Sequence, residues 1–152
     1  ETQKRINCSS EQSALMVESF DLPSVLGSKS KISSAIQNIL LNAKQYAHPE
    51  RPACLQIAAE VQDGRARVFF RDNGIGIDPQ YWERIFEPFK RLHRRETIAG
   101  NGLGLAICRQ IAESSGGSLT IVQSSVDGST FCLVLRASKG NALMPTDSKL
   151  ED

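Results

Sequence analysis

The most regular apolar spacing in the chain lies in "SKISSAIQNILLNAKQYA" (residues 30–47). There Ile32, Ala35, Ile36, Ile39, Leu40 and Ala43 recur at steps of one helical face. Leu103, Ala106, Ile107 and Ile111 predict a second amphipathic helix, stopped by Gly116-Gly117. Between these helices the period drops to two. Leu55, Ile57 and Ala59 alternate with polar neighbours, Asp63-Gly64 supplies a turn, and the chain returns through residues 65–72 as a β-hairpin. "SLTIVQS" and "STFCLVLR" predict a second hairpin around Asp127-Gly128, and "SALMV" (13–17) a short strand. Asp78-Pro79 predicts a helix start with proline at the first helical position. Residues 86–101 lack a period, carry Lys90, Arg91, His93, Arg94 and Arg95, and predict a mobile loop. The order strand, helix, two strands, helix, loop, helix, two strands predicts an α+β fold. Its expected form is a two-layer α/β sandwich whose mixed, mostly antiparallel sheet is covered on one face by helices.

At 152 residues the chain suits one domain. The polar residues 1–12 read as the remnant of an upstream segment, 13–137 as the domain, and 138–152 as a disordered tail or linker. The opening glutamate suggests a piece of a longer protein. A net charge of +1 gives no argument for nucleic acid or membrane binding. No apolar run approaches the ~20 residues of a membrane span, and the first residues lack the apolar core of a signal peptide. Cys8, Cys54, Cys108 and Cys132 are spread without a CxxC pair, which argues against zinc. Three of them fall in apolar elements as small buried hydrophobes, consistent with a reducing cytosol.

Five of the 11 glycines (74, 76, 100, 102 and 104) sit in two stretches, "DNGIGI" (72–77) and "GNGLGL" (100–105). A Rossmann loop would need GxGxxG opening a helix in a βαβ unit, whereas the first stretch follows a hairpin strand and leads into Ile-Asp-Pro. A Walker A loop is excluded because no GKS or GKT occurs. The second stretch does open a helix. Gly100, Gly102 and Gly104 can bring backbone amides to an anion there, or simply form a flexible linker. On the first helix Asn38, Asn42 and Gln45 share one edge of the buried stripe. Asparagine is a poor helix former. Its amide oxygens can serve Mg²⁺, which prefers hard oxygen ligands, or the pair can be exposed or hydrogen-bonded asparagines.

"NILLNAKQY", "DNGIGI", "IFEPFKR" and "GNGLGLAI", in this order and spacing, resemble the N, G1, F and G2 boxes of the sensor histidine kinase catalytic domain. That is the Bergerat-type ATP-binding fold shared with the gyrase, heat-shock chaperone and mismatch-repair ATPases. The similarity runs from about residue 13 to 137, and "FKRLHRRE" and "GLAICRQIAESSGG" look closest to bacteriophytochrome-like kinases. It implies that Asp72 accepts a hydrogen bond from the adenine amino group, with Gly74, Gly76 and Ile77 forming the pocket floor and making room for the flat base. It implies that Asn42 coordinates Mg²⁺ and that Asn38 lies near the phosphates, as the catalytic pair. Gln45 and Tyr46 complete the first box, and Gly100, Gly102, Leu103, Gly104 and Leu105 form the phosphate side. Ser129-Thr130 closes the adenine pocket, with Thr130 as the binding residue. Phe86 and Phe89 anchor a lid, and Arg91 reaches the phosphates.

The implied function is that of a histidine kinase ATP-binding domain. It would bind Mg·ATP and pass the γ-phosphate to a histidine on its own dimerisation domain, with a response regulator downstream. That histidine is missing here: His48 and His93 lie in no four-helix pattern and read as exposed polar residues. The fragment is therefore expected to be monomeric, cytoplasmic and unable to label itself. One departure stands out. The family pattern "NAxKY" has lysine where Gln45 stands, and Lys44 lies on another side of the helix, so one phosphate cation is missing. This keeps open a nucleotide-sensing module without transfer. An ATPase of the same fold is the other alternative, although such relatives carry glutamate at the position of Asn38 to activate water.

Overall fold

The computed structural model describes residues 4–7, 15–88 and 104–139. The chain enters through β1 (Lys4–Asn7) and β2 (Met16–Ser19), and then forms α1 (Lys29–Gln45). Next come β3 (Cys54–Gln62), β4 (Arg65–Asp72), two 3₁₀ turns (Pro79–Tyr81 and Arg84–Phe86), α2 (Gly104–Ser114), β5 (Ser118–Ser125) and β6 (Gly128–Arg136). The six strands form one sheet in the order β1-β2-β3-β4-β6-β5. Only β2 and β3 are parallel, joined across α1, so the sheet is mixed and mostly antiparallel as expected.

Both helices lie on one face of this sheet. Ile32, Ala35, Ile39 and Ala43 of α1 and Cys108 and Ala112 of α2 pack with Leu55, Ile57, Phe70, Leu119, Ile121, Phe131, Leu133 and Leu135 from the strands. These strand positions are every second residue, the period-two pattern of a sheet with one covered face.

Local chemistry accounts for the ends of the elements. Ser28 caps α1, its hydroxyl accepting the Lys31 N–H at 3.4 Å. The β3–β4 turn uses Asp63 (φ 53°) and Gly64 (φ 72°), the paired positive φ values of a tight hairpin turn. α2 ends with Gly117 N–H donating to the Ala112 carbonyl at 2.8 Å and Gly116 N–H to that of Glu113 at 3.0 Å, the double closure of a glycine stop.

Several expectations change. The polar residues 1–12 predicted no element, yet β1 extends the sheet there by pairing with β2. The helix expected from Asp78-Pro79 is instead two 3₁₀ turns. Asp78 caps the first turn through Gln80 N–H, but Glu87 is already extended (ψ 137°) ahead of Pro88, so no long helix can form. In the second hairpin the turn is Val126-Asp127, because Ser125 pairs with Gly128. Ile107, read as a buried position of α2, is 39% exposed. Cys108 and Cys132 are buried, whereas Cys54 is only half-buried. Most of the expected mobile loop, including Lys90, Arg91, His93, Arg94 and Arg95, lies outside the described residues.

Candidate functional site

The site begins where β4 ends. Asp72 is the last residue of β4 and faces the helical layer, paired with buried Leu55 of β3. One oxygen, Oδ1, accepts two backbone N–H bonds, from Gly74 at 2.9 Å and from Ser129 at 3.1 Å. Oδ2 has no partner among the described residues. Burial pushes the Asp72 carboxyl above the ordinary value of such groups, and the two N–H bonds pull it part of the way back. An anchored carboxylate with one spare acceptor oxygen at the edge of a core is equipped to read a donor group on a ligand.

The backbone around Asp72 is packed without slack. A Cβ on Gly74 would run into the Tyr46 carbonyl at the end of α1, and one on Gly76 (φ 78°) into that of Ser125. The protein's own main chain is thus enough to demand glycine at both positions of "DNGIGI". Ile75 N–H donates to the Tyr46 carbonyl at 3.0 Å, and Ile77 N–H to Ser124 Oγ at 2.7 Å. Thus α1, the 72–77 turn and the β5–β6 hairpin meet at one point.

One site assignment moves by a residue. Thr130 pairs with Arg71, and the alternation of β6 turns it away from the face that carries Asp72. Ser129 is the residue on the Asp72 side. It is buried, its N–H holds the carboxylate, and its hydroxyl lies 2.8 Å from that of Ser124. Ser124 had no distinguishing signal in the sequence. Neither did Asn73, whose Oδ1 accepts Cys54 N–H and whose Nδ2 donates to the Pro52 carbonyl, each at 2.8 Å.

The other half of the site lies between the helices. Gly104, the first residue of α2, packs against Asn38: a Cβ built on it would stand 3.8 Å from the Asn38 amide. The Cys108 thiol beneath donates to the Ala35 carbonyl at 3.2 Å and is pushed up to about 12 by burial, with the Asn38 side chain pulling the other way. Asn42, one turn further along the same edge, is only 9% exposed, yet its side-chain amide has no hydrogen-bond partner among the described residues. Gln45 is exposed at the last position of α1, and Tyr46 is its C-cap. Leu105 packs against the core beside Gly104, as does Ile77. Phe86 is buried edge-to-face on Phe131 at 6.4 Å, with Arg109 over its ring. Phe89, Arg91, Gly100, Gly102 and Leu103 lie outside the described residues.

A two-layer α/β fold with a half-buried aspartate at a strand end, on the sheet face covered by a helix that carries two asparagines and by the start of a second helix, defines a class. Residues 27–139, well over half the chain, match the family described as histidine kinase-, DNA gyrase B- and HSP90-like ATPase. The phytochrome-like protein Cph1 of Synechocystis is 36% identical over 121 residues, covering 80% of this chain and 16% of that protein. The sensor-like histidine kinase SenX3 of Mycobacterium tuberculosis is 34% identical over 122 residues, covering 77% and 29%. Among solved structures, the mycobacterial sensor histidine kinase MprB superposes with a TM-score of 0.71 at 29% identity, covering 81% of this chain and 84% of that one. The chain therefore belongs to the histidine kinase-, DNA gyrase B- and HSP90-like ATPase family, and within it to the ATP-binding catalytic domains of sensor histidine kinases. It spans less than a third of the length of either curated relative.

Proposed function

We propose that this domain binds Mg·ATP and presents the γ-phosphate to a histidine on a dimerisation domain elsewhere in the same protein. A response regulator is the next acceptor. The observation that carries this reading is the Asp72 carboxylate, held by two N–H groups through one oxygen and left with the other to accept from the adenine amino group. At the opposite end the start of α2 at Gly104 lies beside Asn38, where helix N–H groups and the positive end of the helix dipole suit the phosphates.

The residues present fit a magnesium ion. Asn42 offers a hard oxygen donor that makes no hydrogen bond to the described residues and, since none of their buried side-chain N or O atoms lacks a partner, is open to solvent, one helical turn from Asn38. Among the described residues no cluster of His, Cys, Asp or Glu is placed to hold a metal, so nucleotide phosphates and water would complete the coordination shell. When bound, the ion neutralises charge on the phosphates. Asn38 and the α2 amides orient the phosphate chain, and Asp72 fixes the base. Catalysis is then a matter of positioning, since neither asparagine can remove a proton. That chemistry favours transfer to a supplied nucleophile over activation of water.

Gln45 at the end of α1 supports a second reading, a nucleotide-sensing module with little transfer. Incubation with γ-labelled ATP and a histidine-bearing dimerisation domain separates the two. Label on the histidine that depends on Asp72 supports the kinase, and ATP binding without label supports the sensor. By itself the fragment is expected to be a monomer that does not label itself, and a tight dimer by light scattering would contradict that. A cytoplasmic location belongs to the same proposal. Among the described residues no helix is long and apolar enough to cross a membrane.

A further inference from the structure

The loop between α1 and β3 carries a side chain, Arg51, that reaches the backbone around Asp72 from outside the site. Arg51 donates from Nε to the Asn73 carbonyl at 2.7 Å, and from Nη2 to the carbonyls of Gly74 at 3.0 Å and Val126 at 2.8 Å. Its ion pair with Asp127 is long, at 4.0 Å, and Asp127 is 84% exposed, so the pair contributes little. What holds this guanidinium is main chain from two separate segments, the 72–77 turn and the tip of the β5–β6 hairpin.

These same two segments hold Asp72. Gly74, whose carbonyl accepts from Arg51, sends its N–H to Asp72 Oδ1. Ser129, three residues past Val126, sends its N–H to the same oxygen. Each jaw gripping the carboxylate is thus tied to the other through a rigid, charged fork. Such charge-assisted bonds are roughly twice as strong as neutral ones, and the fork's fixed geometry is what a lysine lacks. Asn73 ties the turn to Pro52 and Cys54, which flank the loop on the β3 side.

We infer that Arg51 is a positioning residue for base selectivity: by locking the 72–77 turn against the β5–β6 turn, it sets the direction in which Asp72 Oδ2 meets the purine edge. This rests on the adenine-nucleotide reading above. Adenine offers an amino donor where guanine offers a carbonyl acceptor, so a carboxylate held in one direction distinguishes them. A carboxylate whose two jaws move apart can tilt or admit water, and it distinguishes them less well. Arg51 never touches the nucleotide.

The test is calorimetric titration of ATP, ADP and GTP into the wild-type domain, Arg51→Met, Arg51→Lys and Asp72→Asn. Arg51→Met keeps an apolar stem and removes every donor. Its preference for ATP over GTP is expected to fall about tenfold, with ADP losing as much affinity as ATP because the defect lies at the base. Arg51→Lys is expected to resemble Met more than Arg, and it carries the test if the methionine variant does not fold. In ligand-free ¹⁵N spectra the Gly74 and Ser129 amide signals should move in both variants, while that of Gly117, at the end of α2, should not.

If both Arg51 variants keep wild-type discrimination while Asp72→Asn loses ATP, the inference is wrong and the reading of the site stands. An equal loss of ATP and GTP affinity, with a lower melting temperature, would reduce Arg51 to a structural brace. If Asp72→Asn binds ATP as the wild type does, the adenine reading fails and the inference goes with it.

Discussion

The two ends of the site are built in different ways. At the Asp72 end nearly every polar atom is engaged: the carboxylate takes two N–H bonds, Asn73 two, Arg51 three carbonyls, and the glycines leave no room for a Cβ. At the asparagine end the groups are held by helix packing. The Asn42 side-chain amide has no partner among the described residues, and a Cβ built on Gly104 would make only ordinary contact with Asn38. The first end is shaped before any ligand arrives, which suits recognition of a flat, rigid base. The second keeps unspent hydrogen-bonding capacity, which suits a phosphate chain and ion that bring their own charges and water.

The sharpest way to break this contrast is Asp72→Asn. The amide still accepts the Gly74 and Ser129 N–H groups through its oxygen, but it turns a donor toward the adenine amino group. ATP affinity is expected to fall about 10- to 100-fold. The fold should not suffer. Because burial raises the Asp72 carboxyl above its unfolded value, the native state holds this proton more tightly than the unfolded state. Its contribution to stability is present at low pH and is lost as pH rises through the folded value. Asp72→Asn should therefore raise the ligand-free melting temperature more at pH 7 than at pH 4. A fall at pH 7 would mean that the charge serves the fold.

Gly128→Ala attacks the preformed end through its backbone. Gly128 has φ 130°, and a Cβ there would meet the Asp72 carbonyl, so a loss of roughly 3 kcal/mol is expected in denaturant melts. Asn42→Ala probes the other end and should show the reverse. Stability should change little, since no hydrogen bond to the described residues is lost, while the gain in ATP affinity on adding Mg²⁺ disappears. The smallest effect is expected from Gln45→Lys. A cation restored at the exposed end of α1 should tighten Mg·ATP by about threefold at low salt and less at high salt, measured by titration at two ionic strengths.

What the sequence revealed follows the same division. Asp72, the paired glycines, the asparagine edge and both hairpins were legible because they depend on short-range spacing. So was the covered face, from the stripe Ile32, Ala35, Ile39 and Ala43. Arg51 was not, because it sits in "HPERPAC", which has no period, and bonds to carbonyls 22, 23 and 75 residues away. The motif names the dipeptide Ser129-Thr130, whereas strand alternation decides which of the two faces Asp72. The glycines are legible too, although not what stands against them. Their spacing marks a close approach without saying whether a ligand or another stretch of backbone comes near.

The proposal stands on Asp72 reading adenine in a site that also takes magnesium. Titration of ATP by calorimetry, with and without Mg²⁺, into wild type and Asp72→Asn tests it most directly. Wild-type binding is expected to strengthen with Mg²⁺ and to be largely lost in Asp72→Asn with or without the metal. Binding that ignores the Asp72 substitution, or no binding by the folded wild type, would contradict it.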